Sequence, residues 1–412
     1  MDKDTIDNIS EALAELFEKL QNTITQYTSI QIMKNIDNPK KWLENQKKDL
    51  KGFNNAVNKI IEQFKTKIDN PIKTAFNEVY KDAESDFKDL KKDVEDEKGK
   101  KLKNEEPVEF NKKSVNGYKI KIAVDLNNLN ENILKGFKKT VDSVGKTIYR
   151  KKIESGDVLY KEIEKAMKTG IEDMFKIYKN GRKVPFKSYQ EMNVRATLHQ
   201  EAQNYQIEAA KDFGVIFYLC SSHGDCANDH AQFQGKVYVD ENWKNIIPKE
   251  QHANVEKYIK SNNIMSLQKV REEKPFLTTR PNCRHYFKAI TIDQAFNNST
   301  SKLLSDFKMK KGTYDSKKYK SLQQQRYFER QVRFAKNEKA NLEKELLQTK
   351  NDEIKKQINQ KIIKEKTKIN INQKNLRTLI KENPYLERDY RRENYKTIVQ
   401  DIGYKYNNDS KK

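Results

Sequence analysis

The spacing of apolar residues predicts helices over most of the chain. Near the N-terminus, apolar residues recur at three- and four-residue steps and form one helical stripe: Ile6, Ile9, Leu13, Leu16, Phe17 and Leu20. Asp-Asn-Pro triplets at 37–39 and 69–71 predict two helix ends. The charged stretch from Asp82 to Lys103 is typical of a solvated helix or a flexible arm.

The middle of the chain shows other periods. Residues 108–126 alternate apolar and polar positions around Asn116-Gly117, which predicts a β-hairpin. Helix is expected to resume near Asn130. An amphipathic helix is predicted from Ser188 to Phe213, ended by Gly214 and followed by a short buried strand at 215–219. Residues 317–400 return to helix with sparse apolar positions, which favours a long exposed helix or a helical pair.

These elements predict a mainly α fold with a small α+β motif domain and long exposed helices at both ends. Four regions are expected along the chain. They are an N-terminal helical arm (1–104), a hairpin plus helical segment (105–185), a motif domain (186–295) and a basic C-terminal helical region (296–412).

Composition supports a chain with limited core. Hydrophobic residues make up 35% and charged residues 34%, and the mean hydropathy is −1.02. Such a chain fills one modest core and leaves the remainder as exposed helix, arm or partner-binding surface. No apolar run reaches the roughly 18–20 residues of a membrane span, and the acidic start is not a secretory signal. An origin in the cytoplasm, without a membrane partner, is therefore expected.

The net charge of +22 favours an anionic partner, although solvated basic faces in a Lys- and Asn-rich chain would give the same excess. Residues 301–412 hold 30 Lys and Arg against 15 Asp and Glu, so most of the excess lies in the last quarter. Double-stranded DNA, contacted through phosphates without sequence preference, is the partner that this charge predicts.

Candidate chemistry is confined to residues 220–285. Three cysteines cannot make a disulfide framework, but soft ligands occur in two short clusters: His223, Cys226 and His230, then Cys283 and His285. Zinc prefers four nitrogen and sulfur ligands, often as two pairs from separate loops, so these five residues form a candidate structural zinc site. The alternative is a polar mini-core in which the histidines bond loop backbone and the thiols pack as small apolar groups.

The same residues leave an enzymatic alternative open. Cys226 or Cys283 could act as a nucleophile with His285 as its base. The set His223, Asp225, His230 and Asn282 could serve a metal-dependent hydrolase, a nuclease or a toxin-like enzyme. No complete catalytic motif is present, so the expectation is a protein that is not an enzyme. His199 and His252 are expected to be ordinary surface or packing residues. A coiled-coil scaffold that binds nucleic acid is a third possibility, but it gives the 220–285 cluster no purpose.

Three motifs resemble one known family. They are VRATLHQEAQNYQIEAAKDFG, then SSHGDCANDHAQFQGKVY, then TRPNCRHYF, within 194–287. In order they are similar to the phage minor capsid protein 2 family, which is related to Mu-like minor head proteins. The resemblance rests on Arg195-Ala196, His223, 228–230, 233–238 and 282–285. It extends over about residues 130–395 through 178–182, 326–333 and 388–393. Phe233 stands where the family usually has Trp, and Ser-His-Gly-Asp-Cys replaces a His followed by small residues and Arg, which leaves the chemistry of that loop open.

The resemblance implies a structural, low-copy component of the virion with no catalytic activity. It implies a place at the portal or the capsid interior, with the portal protein or the major capsid protein as partner. It also implies a role in head assembly, DNA packaging or DNA delivery.

Overall fold

The computed structural model of the chain describes residues 3–99, 112–169, 176–179, 182–224, 226–272, 283, 285–307, 309 and 314–394. Helices dominate this part of the chain, as expected. In chain order they are α1 (Lys3–Met33), α2 (Pro39–Lys48), α3 (Leu50–Lys98), α4 (Lys112–Lys151), α5 (Gly156–Thr169), α6 (Phe186–Asp212), α7 (Trp243–Ile246), α8 (His252–Ser261), α9 (Leu267–Glu272), α10 (Ile292–Asn297), α11 (Thr300–Asp306), α12 (Ser316–Leu346) and α13 (Asp352–Glu382).

Within the described residues, six short strands form two sheets. β1 (Lys176–Lys179) pairs with β2 (Arg182–Pro185) in an antiparallel ribbon. The larger sheet has the order β5-β4-β3-β6, and its strands are β3 (Phe217–Cys220), β4 (Val237–Val239), β5 (Met265–Ser266) and β6 (Phe287–Ile290). β3 is antiparallel to both neighbours, whereas β4 and β5 are parallel. The fold is therefore mainly α with one small mixed sheet, which confirms the predicted fold class.

The larger sheet is covered on both faces. Tyr218, Cys220 and Phe287 belong to one apolar cluster, together with residues of α3 and α6. Phe217, Leu219 and Ile290 belong to a second cluster, with residues of α7, α8, α10 and α11. Successive residues of a strand point to opposite faces. The continuous apolar run at 215–219 thus marks a strand that is buried on both sides, close to its predicted position.

The predicted hairpin at 108–126 is wrong for residues 112–126, which lie in α4; residues 108–111 fall outside the described part. The burial of the apolar side chains in this segment follows a helical period. Tyr118, Ile122 and Leu126, spaced by four, are buried, whereas Ile120 and Val124 are 66% and 52% exposed. The apolar residues alternate with polar ones only because Ile120 and Val124, on the exposed face of the helix, are also apolar. The observed ribbon, β1–β2, instead flanks the Asn-Gly pair at 180–181.

The predicted helix end at 69–71 is also wrong. α3 runs through Pro71 without a break. Ile68, Ile72 and Phe76, on both sides of Pro71, are buried. Their tertiary contacts outweigh the roughly 3 kcal/mol that a proline inside a helix costs. The Asp-Asn-Pro triplet at 37–39 does mark a boundary. Asn38 caps α2 by accepting a hydrogen bond from the Lys41 N–H, and Pro39 is the first helical residue.

Two other predicted elements are confirmed. α6 ends before Gly214, which adopts a φ of +76° that favours glycine. The C-terminal helix is a pair, α12 and α13, and Asn351 caps the second by accepting from the Ile354 N–H.

The chain forms two compact units. The first comprises residues 1–12, 71–118 and 191–322, and the second comprises 13–70, 119–190 and 323–412. The first contains the larger sheet with its two covering layers. The second contains the β1–β2 ribbon and is otherwise helical where described, with Phe53 stacked between Tyr27 and Phe137 at ring-centroid distances of 5.7 and 3.9 Å. The four regions expected from the sequence stay a prediction.

Candidate metal centre

The candidate site lies beside the edge of the larger sheet where β3 ends and β6 begins. Cys220, the last residue of β3, pairs with Phe287, the first of β6. Beyond this pair, the Ser221 N–H donates to the Tyr286 carbonyl at 2.8 Å, and the Tyr286 N–H donates to Ser221 Oγ at 3.0 Å. The pairing brings the segment after β3 next to the segment before β6. Side chains separated by more than 50 residues in sequence therefore meet.

Three of the five predicted ligands come together. His230, Cys283 and His285 offer ligand atoms that lie within 4.8 Å of one another, and all three residues are buried. Cys283 Sγ is 3.6 Å from His230 Nδ1 and 3.5 Å from His285 Nδ1. His230 is held by a 3₁₀ turn (Asn228–His230), whose last N–H donates to the Ala227 carbonyl.

The other two predicted ligands lie nearby but outside this trio. The His223 ring stacks on the His285 ring, with centroids 4.3 Å apart. Cys226 is buried, with 2% exposure. Burial raises the pKa of the Cys220 thiol well above its ordinary value, and the nearby Cys283 and Cys226 thiols add to the shift. The three cysteines therefore share one small region, as free thiols rather than a disulfide.

Gln234 holds two parts of the site in place. Its Oε1 accepts a hydrogen bond from the His223 backbone N–H at 3.0 Å and lies 3.2 Å from His285 Nε2. Because a backbone N–H can only donate, the contacting atom of Gln234 must be the carbonyl oxygen. His285 Nε2 then carries the proton, and its Nδ1 presents a lone pair to Cys283.

The next residue, Gly235, lets the chain turn back onto β3. Its φ is +65°, in the region that glycine enters at least cost. The Gly235 N–H donates to the Cys220 carbonyl, and the Cys220 N–H donates to the Lys236 carbonyl. The Gln-Gly-Lys segment therefore continues the β3–β4 pairing while it places Gln234 against the histidines.

A sequence profile described as Phage minor capsid protein 2 matches residues 1–381 of the 412-residue chain. The chain belongs to the phage minor capsid protein 2 family. The match includes the N-terminal helices, which precede the region 130–395 indicated by the motifs, and it ends at residue 381 within that region. Neither the search of curated proteins nor the search of solved structures returned a match. No helix in the described part of this minor capsid protein is long and apolar enough to cross a membrane.

The structure gives the motif residues of this minor capsid protein distinct roles. Gln234 and Gly235 shape the site, and Cys283 and His285 provide two of its three clustered side chains. Asp225, Asn282 and Arg284 lie outside the described residues. Arg195 is buried in α6 and pairs with Glu191 at 3.0 Å.

The two C-terminal motif segments of the minor capsid protein meet in the second unit. Glu329 of α12 lies 3.9 Å from Arg392. The Gln325 side chain donates to the Glu387 carbonyl at 2.6 Å. Glu393 is 1% exposed and accepts from Arg388 at 2.6 and 2.8 Å. Glu393 is therefore a buried acid held by polar contacts, whereas Tyr390 in the same segment is 64% exposed.

Two histidines outside the cluster have packing roles, as expected. His199 is buried in α6, with 4% exposure. The His252 ring packs edge-on against Trp243, and its Nε2 lies 3.2 Å from the Ile247 carbonyl. The sequence did not single out Gln234 or Gln203 as positioning residues. Gln203 Oε1 accepts the Phe287 N–H at 2.7 Å and so joins α6 to β6. The family motif that contains Gln234 was the available signal, whereas Gln203 had none.

Proposed function

We propose that this minor capsid protein is a structural component of the phage head, placed at the portal or on the inner face of the capsid, where its C-terminal helices contact packaged DNA. Family membership supports the location in the virion. The contact with DNA is supported by one observation, the charge of the α12–α13 pair. Residues 316–382 carry 19 Lys and Arg against 8 Asp and Glu.

Three of these basic residues line one groove. Lys336 and Lys339 of α12 and Lys366 of α13 line it, together with Asn370 and Asn394, and none of the lining residues that the structure describes is acidic. Glu393, a buried acid next in sequence to the lining residue Asn394, pairs with Arg388. Lysines along a groove can track a phosphate backbone without reading bases, which suits contact with DNA of any sequence inside a head.

The test is DNA binding by the full-length chain. We expect binding to duplex DNA without sequence preference, weakening as salt rises. Replacing Lys336, Lys339 and Lys366 with Gln should lower the slope of log affinity against log salt by about 0.9 for each phosphate that is no longer neutralised. Replacing the exposed Lys47, Lys48 and Lys51 removes the same charge elsewhere. Equal effects of the two triple variants, or affinity that does not change with salt, would contradict the proposed contact.

A second test concerns the place in the head. Cross-linking of intact particles followed by mass spectrometry should join α12 or α13 to the portal protein or to the inner surface of the major capsid protein. Cross-links confined to tail proteins would contradict the proposal.

The alternative of a metal-dependent hydrolase or nuclease has less support. A catalytic metal keeps an open position for water or substrate. His230, Cys283 and His285 are 3%, 7% and 1% exposed, which leaves a substrate little access to them. This burial favours a structural role for the cluster.

A further inference from the structure

We propose that His230, Cys283 and His285 bind one zinc ion, as a closed structural site that fastens the segment before β6 to the turn after β3. The proposal does not depend on where the protein lies in the head. Its basis is the geometry of the three side chains, the hydrogen bond that orients one of them, and their burial.

The two sulfur–nitrogen distances in the trio fit tetrahedral zinc. With Zn–S and Zn–N bonds of about 2.3 and 2.0–2.1 Å, tetrahedral angles place a sulfur and a nitrogen ligand about 3.5 Å apart. The observed distances from Cys283 Sγ to the Nδ1 atoms of His230 and His285 are 3.6 and 3.5 Å. Mixed nitrogen and sulfur ligands select zinc over magnesium or calcium, which prefer oxygen.

Gln234 orients His285 as a ligand. Metal-binding histidines usually donate their second ring N–H to a neighbouring oxygen, which fixes the tautomer and the ring plane. Here the Nε2 proton of His285 is directed to Gln234 Oε1 at 3.2 Å. The same oxygen accepts the His223 N–H, so its identity is fixed by the backbone. The Nδ1 lone pair therefore points at the position that zinc would take.

The cluster also joins two segments that are far apart in sequence, and a metal would strengthen this connection. His230 and Cys283 are 53 residues apart in sequence, and the strands beside them contain only three or four residues. A zinc ion bound by both residues would join the turn after β3 to the segment before β6 and so restrict this long connection. A metal-free network is the competing arrangement. In it the Cys283 thiol donates to His285 Nδ1 and accepts from His230 Nδ1.

A closed zinc site needs a fourth ligand, and we assign it to the loop that carries His223 and Cys226. The His223 ring already lies against His285, and Cys226 is buried close to Cys220. Either side chain would complete a set that zinc accepts, with two histidines and two thiolates or with three histidines and one thiolate.

The first experiment measures zinc in the purified full-length chain by elemental mass spectrometry. We expect about one zinc per chain, and restoration of that amount when EDTA-treated protein is given zinc. Cys283→Ala and His285→Ala should lower zinc affinity by more than about 100-fold. The matched controls are Cys220→Ala and His252→Ala, which replace a core thiol and a packing histidine outside the trio. Both should keep the metal.

Cobalt substitution keeps the test valid if a ligand variant fails to fold. The wild-type chain loaded with cobalt should show the intense visible absorption of a tetrahedral site and a thiolate-to-cobalt band. Zinc should also raise the melting temperature of the wild-type chain in a concentration-dependent way. A folded wild-type chain that takes up neither zinc nor cobalt would establish the metal-free network and overturn the proposal.

The fourth ligand has its own outcomes. A marked loss of zinc affinity in either His223→Ala or Cys226→Ala would support the closed site and identify the ligand. Full retention of zinc by both variants would leave an open coordination position and overturn the assignment of a structural site. Equal loss of zinc in the His252→Ala control would show adventitious binding and overturn it as well.

Discussion

Replacement of Gln234 by Leu tests the organisation of the candidate metal centre without removing a ligand. Leu is of similar size but offers no acceptor, so the His285 Nε2 proton and the His223 N–H, now 3.2 and 3.0 Å from Gln234 Oε1, would both lose their partner. A buried donor without an acceptor costs about 1–3 kcal/mol. His285 is buried and His223 is half-buried, so water can replace the second bond more easily than the first.

We therefore expect Gln234→Leu to lower local stability by about 2–4 kcal/mol. Loss of the hydrogen bond that orients a ligand should also weaken zinc binding by about 10- to 100-fold. Hydrogen exchange followed by mass spectrometry measures the loss of local stability in peptides that contain the Cys220 and Ser221 amides. Thermal unfolding of the whole chain would average this local effect over two compact units. A zinc titration measures the second.

The control for this variant is Gln324→Leu, at an exposed position of α12. It should leave both exchange and zinc affinity unchanged. Exchange near β3 that is unaltered in Gln234→Leu would refute the role assigned to the Gln234 carbonyl. Faster exchange with unaltered zinc affinity would show that Gln234 supports the backbone but not the ligand.

Three further predictions concern a buried acid, a glycine turn and a helix face. Burial, with the nearby Glu338 charge, raises the pKa of Glu345 from 4.5 to about 7. Below about pH 4.5 the carboxyl is neutral in the folded and the unfolded chain and costs no stability. As pH rises through 7, ionisation of the buried carboxyl lowers the free energy of unfolding. Glu345→Gln should therefore stabilise the chain by up to about 3 kcal/mol near pH 8 and little near pH 4.5 in urea unfolding, and a pH-independent difference would contradict this. Gly235→Ala should cost about 1–2 kcal/mol in hydrogen exchange of β3, because φ is +65° while the nearest atoms to an added Cβ are 3.6 Å away; wild-type exchange would show that the turn relaxes freely. Ile122→Ala should cost about 2–4 kcal/mol and the exposed Ile120→Ala under about 0.5, and equal thermal shifts would argue against helix in that region.

Much of the fold follows from local patterns. Helical periodicity located α1, α6 and the C-terminal pair, and Gly214 marked the end of α6. The apolar run before Cys220 identified β3. These signals succeed because the period and the terminating residue act within a few positions of one another in sequence.

The errors arise where packing decides between two local patterns. Residues 115–126 satisfy an alternating pattern and a helical one, and only the burial of Ile122 and Leu126 selects the helix. Pro71 predicts a helix end, but buried neighbours on both sides carry α3 through it. The charged region after Asp82 looks solvated, yet Leu90 and Val94 of α3 pack into the core beside the larger sheet. A few apolar residues at helical spacing are enough to pack this charged part of α3 against the core.

The candidate site was predictable in its residues but not in its geometry. Composition and family motifs drew attention to all five side chains, and the structure gathers His230, Cys283 and His285. The choice of these three depends on the pairing of β3 with β6, which joins segments far apart in sequence. The role of Gln234 depends on one carbonyl oxygen that contacts two donors, and no sequence pattern contains that information.

We expect this minor capsid protein to be a permanent component of the assembled phage head. Quantitative mass spectrometry of purified particles, before and after DNA has been ejected, tests it most directly. We expect peptides of this chain in full heads, at a constant low ratio to the major capsid protein that does not fall with further purification. Peptides that are abundant in infected cells but absent from purified heads would contradict the claim.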